Sequence, residues 1–522
     1  MPPLALPPGL KRLGPALIAL LLVLIGIVSR PLIPIDETRY LTVAWEMRHA
    51  DTWLYSHLNG ANYSDKPPVL FWLINLVWSV TGPNEFAGRL TPALFLPVTV
   101  FLTGVLGRRL GGEAVGARAG YVAVGTVAFA TFSSLVMFDA LLTTAALCGI
   151  IGLVDAARGK RLRGFVMVGL ALGIGALIKG LPILIHVLPI ALLAPFWAPR
   201  PQRWTVWYAG ILGAVAIGLV IGLGWAFWAQ TAGGPPLRSL MVDQTAKRMV
   251  GAFTHGRPWW FFIALAPALL FPWWLSRNFW RGVFRRDPAT DERRIFRLCW
   301  IGAAATFLIF SFISSKQIHY VLPAVPLLAI GLAGLTCPAE QKAEVLFAPA
   351  MVLAGLVALA LHFLPQTVGA PVSLWCGAIV LTGASFSWLF RDRLGWSGLA
   401  TGISLFLAVH FAAATGTLTD QDSSWAAARL RERTGAPMAV IGSYEGEFGY
   451  AARLTKPIEK IEVSQAATWR AAHPDGVVIE IARKAPLGGP YNEARPYRGG
   501  TLALWLPGVS ALAATATAAS DN

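Results

Sequence analysis

Apolar runs of roughly twenty residues, parted by short polar stretches, repeat along nearly the whole chain. The first runs from about Gly14 to Ile35. Twelve more fall near residues 86–107, 118–138, 139–157, 164–180, 181–198, 204–228, 259–276, 296–313, 319–336, 345–364, 371–390 and 396–416. An α-helix needs about 20 residues to cross a bilayer, so the pattern predicts about thirteen transmembrane helices. Two segments after the first run depart from it. Tyr40, Val43, Ala44 and Met47 keep the one-sided spacing of an amphipathic helix, with Arg39, Glu46 and Arg48 on its polar side. Such a helix suits the membrane interface. Residues 69–80 are apolar on all sides but too short to span, and Thr81-Gly82-Pro83 stops them. They predict a second interfacial or half-inserted helix.

Past Thr417 the period changes. Ser424 to Arg433 reads as a charged amphipathic helix closed by Gly435, and residues 438–442, 476–481 and 501–506 read as strands. The expected fold is an all-α polytopic membrane domain over 1–416 and a small α/β domain over 417–522. Ala511 to Asn522 has the composition of a disordered tail. The C-terminal segment has no nucleotide fingerprint, metal motif or nucleophile elbow, which suits an accessory role.

Composition agrees: 55% of residues are hydrophobic and 13% charged, against roughly 25% charged in soluble domains. A net charge of +16 raises the question of a nucleic-acid partner. However, Lys11-Arg12, Arg108-Arg109, Arg158 to Arg163, Arg200 to Arg203, Arg277 to Arg297 and Arg391 to Arg393 all fall on one face under a thirteen-span count. That is the positive-inside pattern, so the charge gives orientation and not a polyanion partner. It puts Met1 in the cytoplasm, and residues 36–68 and everything after Thr417 outside. Lys11-Arg12 before an apolar run resembles a signal peptide, but no small-residue cleavage site follows, so the first span reads as an uncleaved anchor. Cys148, Cys299, Cys337 and Cys376 lack metal-ligand spacing and read as buried thiols.

Chemistry concentrates where the chain first leaves the bilayer. Asp36 and Glu37 sit there side by side, and Asp65-Lys66-Pro67-Pro68 follows on the same side. At the end of a hydrophobic helix the macrodipole disfavours a carboxylate, and a low dielectric does the same. Both would tune Asp36 toward a base that works near neutral pH. The plainer reading makes Asp36 the N-cap of the next helix. Lys66 precedes a proline and is pushed out of helical geometry, while Pro67 fits the first turn of the following helix. A lysine there, beside free N–H groups, is a ready anion site. Base, cation and lipid interface together point to group transfer from a phosphate-bearing lipid.

Asp36-Glu37-Thr38-Arg39-Tyr40, Trp53, Leu58-Asn59-Gly60, Tyr63, Asp65-Lys66-Pro67-Pro68 and Asn84-Glu85-Phe86-Ala87-Gly88-Arg89-Leu90 resemble the first periplasmic region of bacterial membrane glycosyltransferases. That family is related to protein O-mannosyltransferases and to the aminoarabinose transferase that modifies lipid A. The resemblance implies a GT-C fold in the bacterial inner membrane, a polyprenyl-phosphate-linked sugar donor and Asp36 as the main catalytic residue, with Glu37 beside it. It also makes Arg39 and Tyr40 candidates for holding the donor. In the same family a second acidic residue lies near the first, which here is Asp139, expected in a short outer turn between spans. Lys179-Gly180 resembles the family's Lys-Gly, a phosphate ligand unless the lysine merely snorkels. Within the long outer loop from Gln230 to Pro258, His255-Gly256-Arg257-Pro258-Trp259-Trp260 resembles the family's pattern. There the histidine and the acidic residue before Lys-Pro hold a divalent metal, here His255 and Asp65. Two ligands fall short of a defined zinc site, and otherwise no cofactor is implied. Ser314 to Pro323 resembles a further family motif, making Lys316 and Tyr320 candidates for the donor phosphate, with His319 beside them. Gln317-Ile318 departs from that motif.

The expected function is transfer of a sugar from a polyprenyl phosphate to a lipid A, glycolipid or glycan acceptor outside the cytoplasm, with inversion. The rivals are a protein O-glycosyltransferase and, from another class, a polyprenyl-lipid flippase or transporter. A transporter should carry its charges near the membrane midplane, whereas the candidate charges here sit at span ends.

Overall fold

The computed structural model describes residues 8–199, 203–236, 238–240, 256–284, 296–335, 345–363, 372–486, 489 and 491–508. The chain forms two compact units. One holds Met1–Arg30 with Ser64–Gly416, the other Pro31–Tyr63 with Thr417–Asn522. The first extramembrane loop, expected within the membrane domain, therefore groups with the C-terminal segment. In chain order the elements that matter below are α1 (Pro8–Val28), α2 (Asp36–His49), β1 (Ser56–Leu58), β2 (Ala61–Tyr63), α3 (Val69–Thr81), α4 (Glu85–Ala93), α5 (Phe95–Val124), α6 (Val127–Phe132), α7 (Phe138–Ala157), α8 (Arg161–Lys179) and α9 (Pro182–Leu192). Strands β3 (Met438–Gly442), β4 (Glu459–Ile461), β5 (Val477–Ala482), β6 (Glu493–Tyr497) and β7 (Gly500–Trp505) follow.

In the membrane unit, five helical stretches among the described residues are long and apolar enough to cross a bilayer: Glu85–Val124, Phe138–Ala157, Arg161–Lys179, Trp204–Thr231 and Gly395–Thr417. Shorter apolar helices of 10–17 residues, from Arg12–Val28 to Leu374–Leu389, accompany them. Several expected spans are thus divided. Residues 118–138 become the end of α5, then α6 capped by Thr126, whose hydroxyl accepts the Phe129 N–H at 3.2 Å. Residues 181–198 become α9 and Ala194–Trp197, and residues 259–276 become Phe261–Leu270 and a 3-10 turn at Trp273–Leu275.

Glycines decide how closely these helices approach. Helical geometry in α5 fails at Gly111 and at Gly112, whose φ of +79° suits glycine. There the chain doubles back, so that a Cβ on Gly107 would lie 3.0 Å from the Gly116 Cα. Next, α7 and α8 form a tight antiparallel hairpin in which a Cβ on Gly164 would lie 2.5 Å from the Gly152 carbonyl oxygen. Small residues at such crossings let backbones meet where no water is available to drive association. The Asn-Glu-Phe-Ala-Gly-Arg-Leu motif is structural at both ends. Asn84 caps α4 by accepting the Ala87 N–H at 2.8 Å, and buried Arg89 donates to Glu85 at 3.0 Å and to the Arg30 carbonyl at 2.9 Å.

The second unit is built on a five-stranded sheet of order β4-β3-β5-β7-β6. β3 pairs in parallel with β4 and β5, whereas β7 is antiparallel to β5 and β6. Val440, Val477, Ile479, Leu502 and Leu504 form one core with Leu430 of the helix Ser424–Arg431. Ala439, Ile441, Val478 and Trp469 cover the other face. α2 belongs to this unit and is not a helix with one apolar stripe. Nine of its fourteen residues are buried, Glu37, Thr38 and Thr42 among them. Thr42 donates to the Gly446 carbonyl at 2.8 Å and Trp45 to the Leu454 carbonyl at 2.7 Å. A helix held on several sides by protein replaces the expected interfacial one.

Gly164→Val should disrupt the α7–α8 hairpin, since overpacking costs about 1–3 kcal/mol even where side chains can shift, and here a backbone oxygen blocks the way. Gly213→Ala, where nothing lies within 4 Å of the new Cβ, should leave the thermal midpoint of the detergent-solubilised protein unchanged. Equal midpoints for the two variants would remove the close approach as a constraint.

Candidate active site

The extramembrane unit carries the paired carboxylates, and they are not equivalent. α1 ends at Val28, and Asp36 opens α2, with Ile35 as the N-cap residue. Asp36 therefore stands at the positive end of a helix, where the macrodipole favours negative charge. This reverses the expectation of a carboxylate at the end of the first span, and Asp36 is not the N-cap either. Asp36 is half-buried and accepts a hydrogen bond from the Tyr40 hydroxyl, 3.1 Å from Oδ1 and one helical turn on. Glu37 is buried, and its Oε2 accepts the Ile33 N–H at 2.8 Å. Of the two, Asp36 is the one a substrate can reach.

Arg39 and Tyr40, expected to hold the donor, have partners inside the unit. Arg39 Nη2 lies 2.9 Å from Glu445 Oε2, and its Nε donates to the Glu445 carbonyl at 3.2 Å. Burial works against the Arg39 charge, but Tyr63, Glu445 and Asp36 around it hold the guanidinium pKa above its ordinary value. The β1–β2 hairpin turns at Asn59 and Gly60, both with positive φ, as an Asn-Gly two-residue turn does. Both turn N–H groups donate to Glu46, at 2.8 and 3.0 Å. Burial raises the Glu46 pKa, and these two hydrogen bonds oppose the rise. The Asn-Gly dipeptide was the available signal for this hairpin, which the period-based reading misses.

In the membrane unit Asp139 and Lys179 meet at one end of the α7–α8 hairpin. Asp139 lies in the first turn of α7 and Lys179 is the last residue of α8. Helices of 20 and 19 residues running antiparallel bring these two levels together. Lys179 Nζ is 2.6 and 2.7 Å from the two Asp139 oxygens. Both residues are buried, and each sits at the helix end whose dipole suits its charge. Asp139 is thus neither a turn residue nor hydrated, and Lys179 does not snorkel.

Around this pair, His319 Nε2 lies 3.8 Å from Asp139 Oδ2, and the Tyr320 ring lies 4.9 Å below the Lys179 ammonium. Gly256 pairs with Ser315, which brings Arg257 beside Lys316. Buried Lys316 donates to the Arg257 carbonyl at 3.1 Å and to the Ile313 carbonyl at 2.6 Å, closing off a helix end. Burial lowers the Lys316 pKa. The Arg257 guanidinium stands over Phe261 at 5.7 Å on an exposed stretch. Lys66 is half-buried just before α3, whose N-cap is Pro68. Pro67 therefore lies outside the helix, not in its first turn. His186 joins the cluster without any sequence signal. It is buried on α9, with Nδ1 3.2 Å from the Thr306 hydroxyl.

Among the described residues no three His, Cys, Asp or Glu side chains gather as a metal site. Asp65 is described, whereas His255 lies outside the described residues, as do Cys337 and the tail after Gly508.

These features have counterparts. The fold is shared with a solved bacterial membrane protein. The crystal structure of ArnT from Cupriavidus metallidurans bound to undecaprenyl phosphate superimposes with a TM-score of 0.73, covering 89% of this chain and 92% of that one at 19% identity. Residues 65–228 match the family described as dolichyl-phosphate-mannose-protein mannosyltransferase. More particularly, the chain is similar to the undecaprenyl phosphate-alpha-4-amino-4-deoxy-L-arabinose arabinosyl transferases. It is 27% identical over 476 residues to transferase 2 of Pseudomonas fluorescens, covering 85% of this chain and 83% of the relative. It is 29% identical over 368 residues to that of Pseudomonas savastanoi pv. phaseolicola, covering 67% of each. The resemblance read from the motifs holds: over most of its length the chain is similar to these bacterial membrane transferases.

Because removing one partner of a buried ion pair leaves an uncompensated charge, Asp139→Asn or Lys179→Met alone should each cost roughly 3–5 kcal/mol. The double variant should cost less than the sum of the singles. Thermal denaturation in detergent gives the cycle, and strict additivity would deny the coupling.

Proposed function

We propose that this enzyme transfers a sugar from a polyprenyl-phosphate donor to an acceptor on the outer face of the inner membrane, inverting the anomeric centre. The observation that carries this reading is the buried Lys179–Asp139 pair at one end of a membrane helix hairpin, with His319 and Tyr320 beside it. Lys316 and Arg257, neighbours through the Gly256–Ser315 bridge, are further candidate cations. When the sugar leaves, the polyprenyl phosphate gains negative charge, and preorganised cations in a dry site stabilise it. Lys66, beside the start of α3, adds a further cation. Charges at helix ends favour a transferase over a transporter, which needs them at the midplane.

Asp36 is the base. An acceptor hydroxyl attacks the anomeric carbon, its proton passes to the Asp36 carboxylate, and the bond from that carbon to the phosphate oxygen breaks. The Tyr40 hydroxyl fixes the carboxylate orientation. An acceptor that is itself a phosphate arrives ionised, and Asp36 then orients it without taking a proton. The relatives' names make a 4-amino-4-deoxy-arabinosyl lipid the first donor to test and lipid A the first acceptor. A protein acceptor is the second reading, favoured by the family described over residues 65–228. Mass spectrometry of lipid A and of periplasmic proteins, with and without the gene, separates them.

Asp36→Asn should abolish transfer while leaving membrane insertion intact, because the amide keeps the shape but cannot take the proton. Glu37→Gln should act through stability and spare turnover in whatever protein folds. Lys66→Ala should weaken use of the donor, and Lys66→Arg should restore only part of it, since a planar fork replaces a point charge. Near-normal turnover by Asp36→Asn in membrane assays would displace it from the mechanism.

The orientation is equally testable. With Met1 in the cytoplasm, cysteines placed at Asn62 and Ser443 of a cysteine-free protein should react with an impermeant maleimide in intact spheroplasts. One at Lys160 should react only after the membrane is opened. Opposite behaviour of Asn62 and Ser443 would overturn the thirteen-span topology.

A further inference from the structure

The extramembrane unit holds a cavity that the transfer chemistry leaves unused. Its volume is about 230 Å³, and Glu46, His49, His57, Tyr444, Thr455 and Lys456 contribute to its walls. All of them belong to the one unit. The carboxylate in this wall is already occupied, because both Glu46 oxygens accept the N–H groups of the β1–β2 turn. The nitrogens are not. His49 Nδ1 donates to the Trp45 carbonyl at 2.9 Å, and His57 Nδ1 meets the Thr52 hydroxyl at 3.1 Å. Each ring therefore keeps Nε2 available, and neighbouring aromatics hold both in place, Trp45 at 3.9 Å and Tyr55 at 5.2 Å between ring centroids. The Lys456 ammonium has no hydrogen-bond or ion-pair partner among the described residues. His49, His57, Thr455 and Lys456 thus line one concave space, beside a carboxylate already committed to backbone. Such a set of donors with one accepting imidazole suits an anion carried on a polyhydroxylated ring.

We propose that this cavity binds a phosphate-bearing sugar, with Lys456 and the His57 Nε2–H on the phosphate, and Thr455 and the accepting His49 Nε2 on ring hydroxyls. Identifying that sugar with the acceptor's headgroup rests on the transfer reading above; the binding itself does not. A recognition site on the extramembrane unit would let the enzyme select its acceptor by a group other than the one that reacts. Binding energy from a remote part of a substrate can serve specificity in this way.

The test uses the full-length protein in nanodiscs, with undecaprenyl phosphate at saturation so that the donor's phosphate cations are filled. Glucosamine 1-phosphate, glucosamine, and micelles of a phosphorylated diglucosamine lipid are titrated by calorimetry. Glucosamine 1-phosphate should bind saturably, with glucosamine weaker by about tenfold or more, roughly the effect of losing one charge-assisted contact. Lys456→Glu should weaken the sugar phosphate at least as much, and His57→Gln should weaken it several-fold. Undecaprenyl phosphate binding should be unchanged in both. Competition by the micelles would make the ligand a lipid headgroup, whereas binding of the soluble sugar phosphate alone would make it a free metabolite. Either result supports the pocket. Absence of saturable binding in the wild-type protein, or wild-type affinity in both variants, overturns it. Failure of the transfer reading would show separately, as lost undecaprenyl phosphate binding or as turnover by Asp36→Asn.

Discussion

A lysine and an aspartate closed off from water, with Nζ within 2.7 Å of both carboxylate oxygens, constrain the chemistry of the membrane unit. Neither charge could be buried alone, because desolvation of a single ion costs several kcal/mol. The pair is possible because α7 and α8 have matching lengths and run antiparallel, which puts the first turn of one beside the last turn of the other. The match depends in turn on Gly152 and Gly164, whose missing side chains let the helices touch. The ion pair then anchors what surrounds it: His319 on the outer carboxylate oxygen and Tyr320 beneath the ammonium. A lysine held this way keeps little conformational freedom.

The same economy appears in the extramembrane unit, where polar groups are tied to backbone before they can act. Glu37 serves the Ile33 N–H, Glu46 serves a hairpin turn, and Arg39 is held by Glu445. Asp36 differs. Its hydrogen-bond donor is the Tyr40 hydroxyl and not a backbone amide, and it remains half-exposed. A carboxylate supported from one side and open on the other can accept a proton and keep its position.

Motifs and structure also disagree in instructive ways. The Asn84–Leu90 motif belongs to the family resemblance, and its residues are structural: Asn84 is a helix cap and Arg89 a buried brace on the Arg30 carbonyl. Lys316, expected at the donor phosphate, is positioned by two carbonyls at a helix end. A family pattern preserves residues that hold a site as well as those that act in it, and the sequence alone does not separate the two.

The sequence by itself determined the class of molecule, the apolar helices and the residues worth watching. These are properties of composition and of local period, which a bilayer reads directly: chain length against bilayer thickness, and basic loops against orientation. Asp36, Asp139 and Lys179 could be picked out because a charge beside an apolar run demands a reason. What the tertiary structure decided was partnership. That Lys179 answers Asp139 across forty residues, that His186 stands near them on α9, and that α2 packs against the segment from Gly446 to Leu454, some four hundred residues away, follow from long-range packing. The division of residues 118–138 into pieces of helix was likewise hidden. Hydrophobicity averaged over a window records whether a segment belongs in lipid or in a core, but not where Gly112 turns the chain or Thr126 starts a new helix. Those depend on a positive φ and a single capping hydroxyl, and such local geometry becomes favourable only once its neighbours are in place.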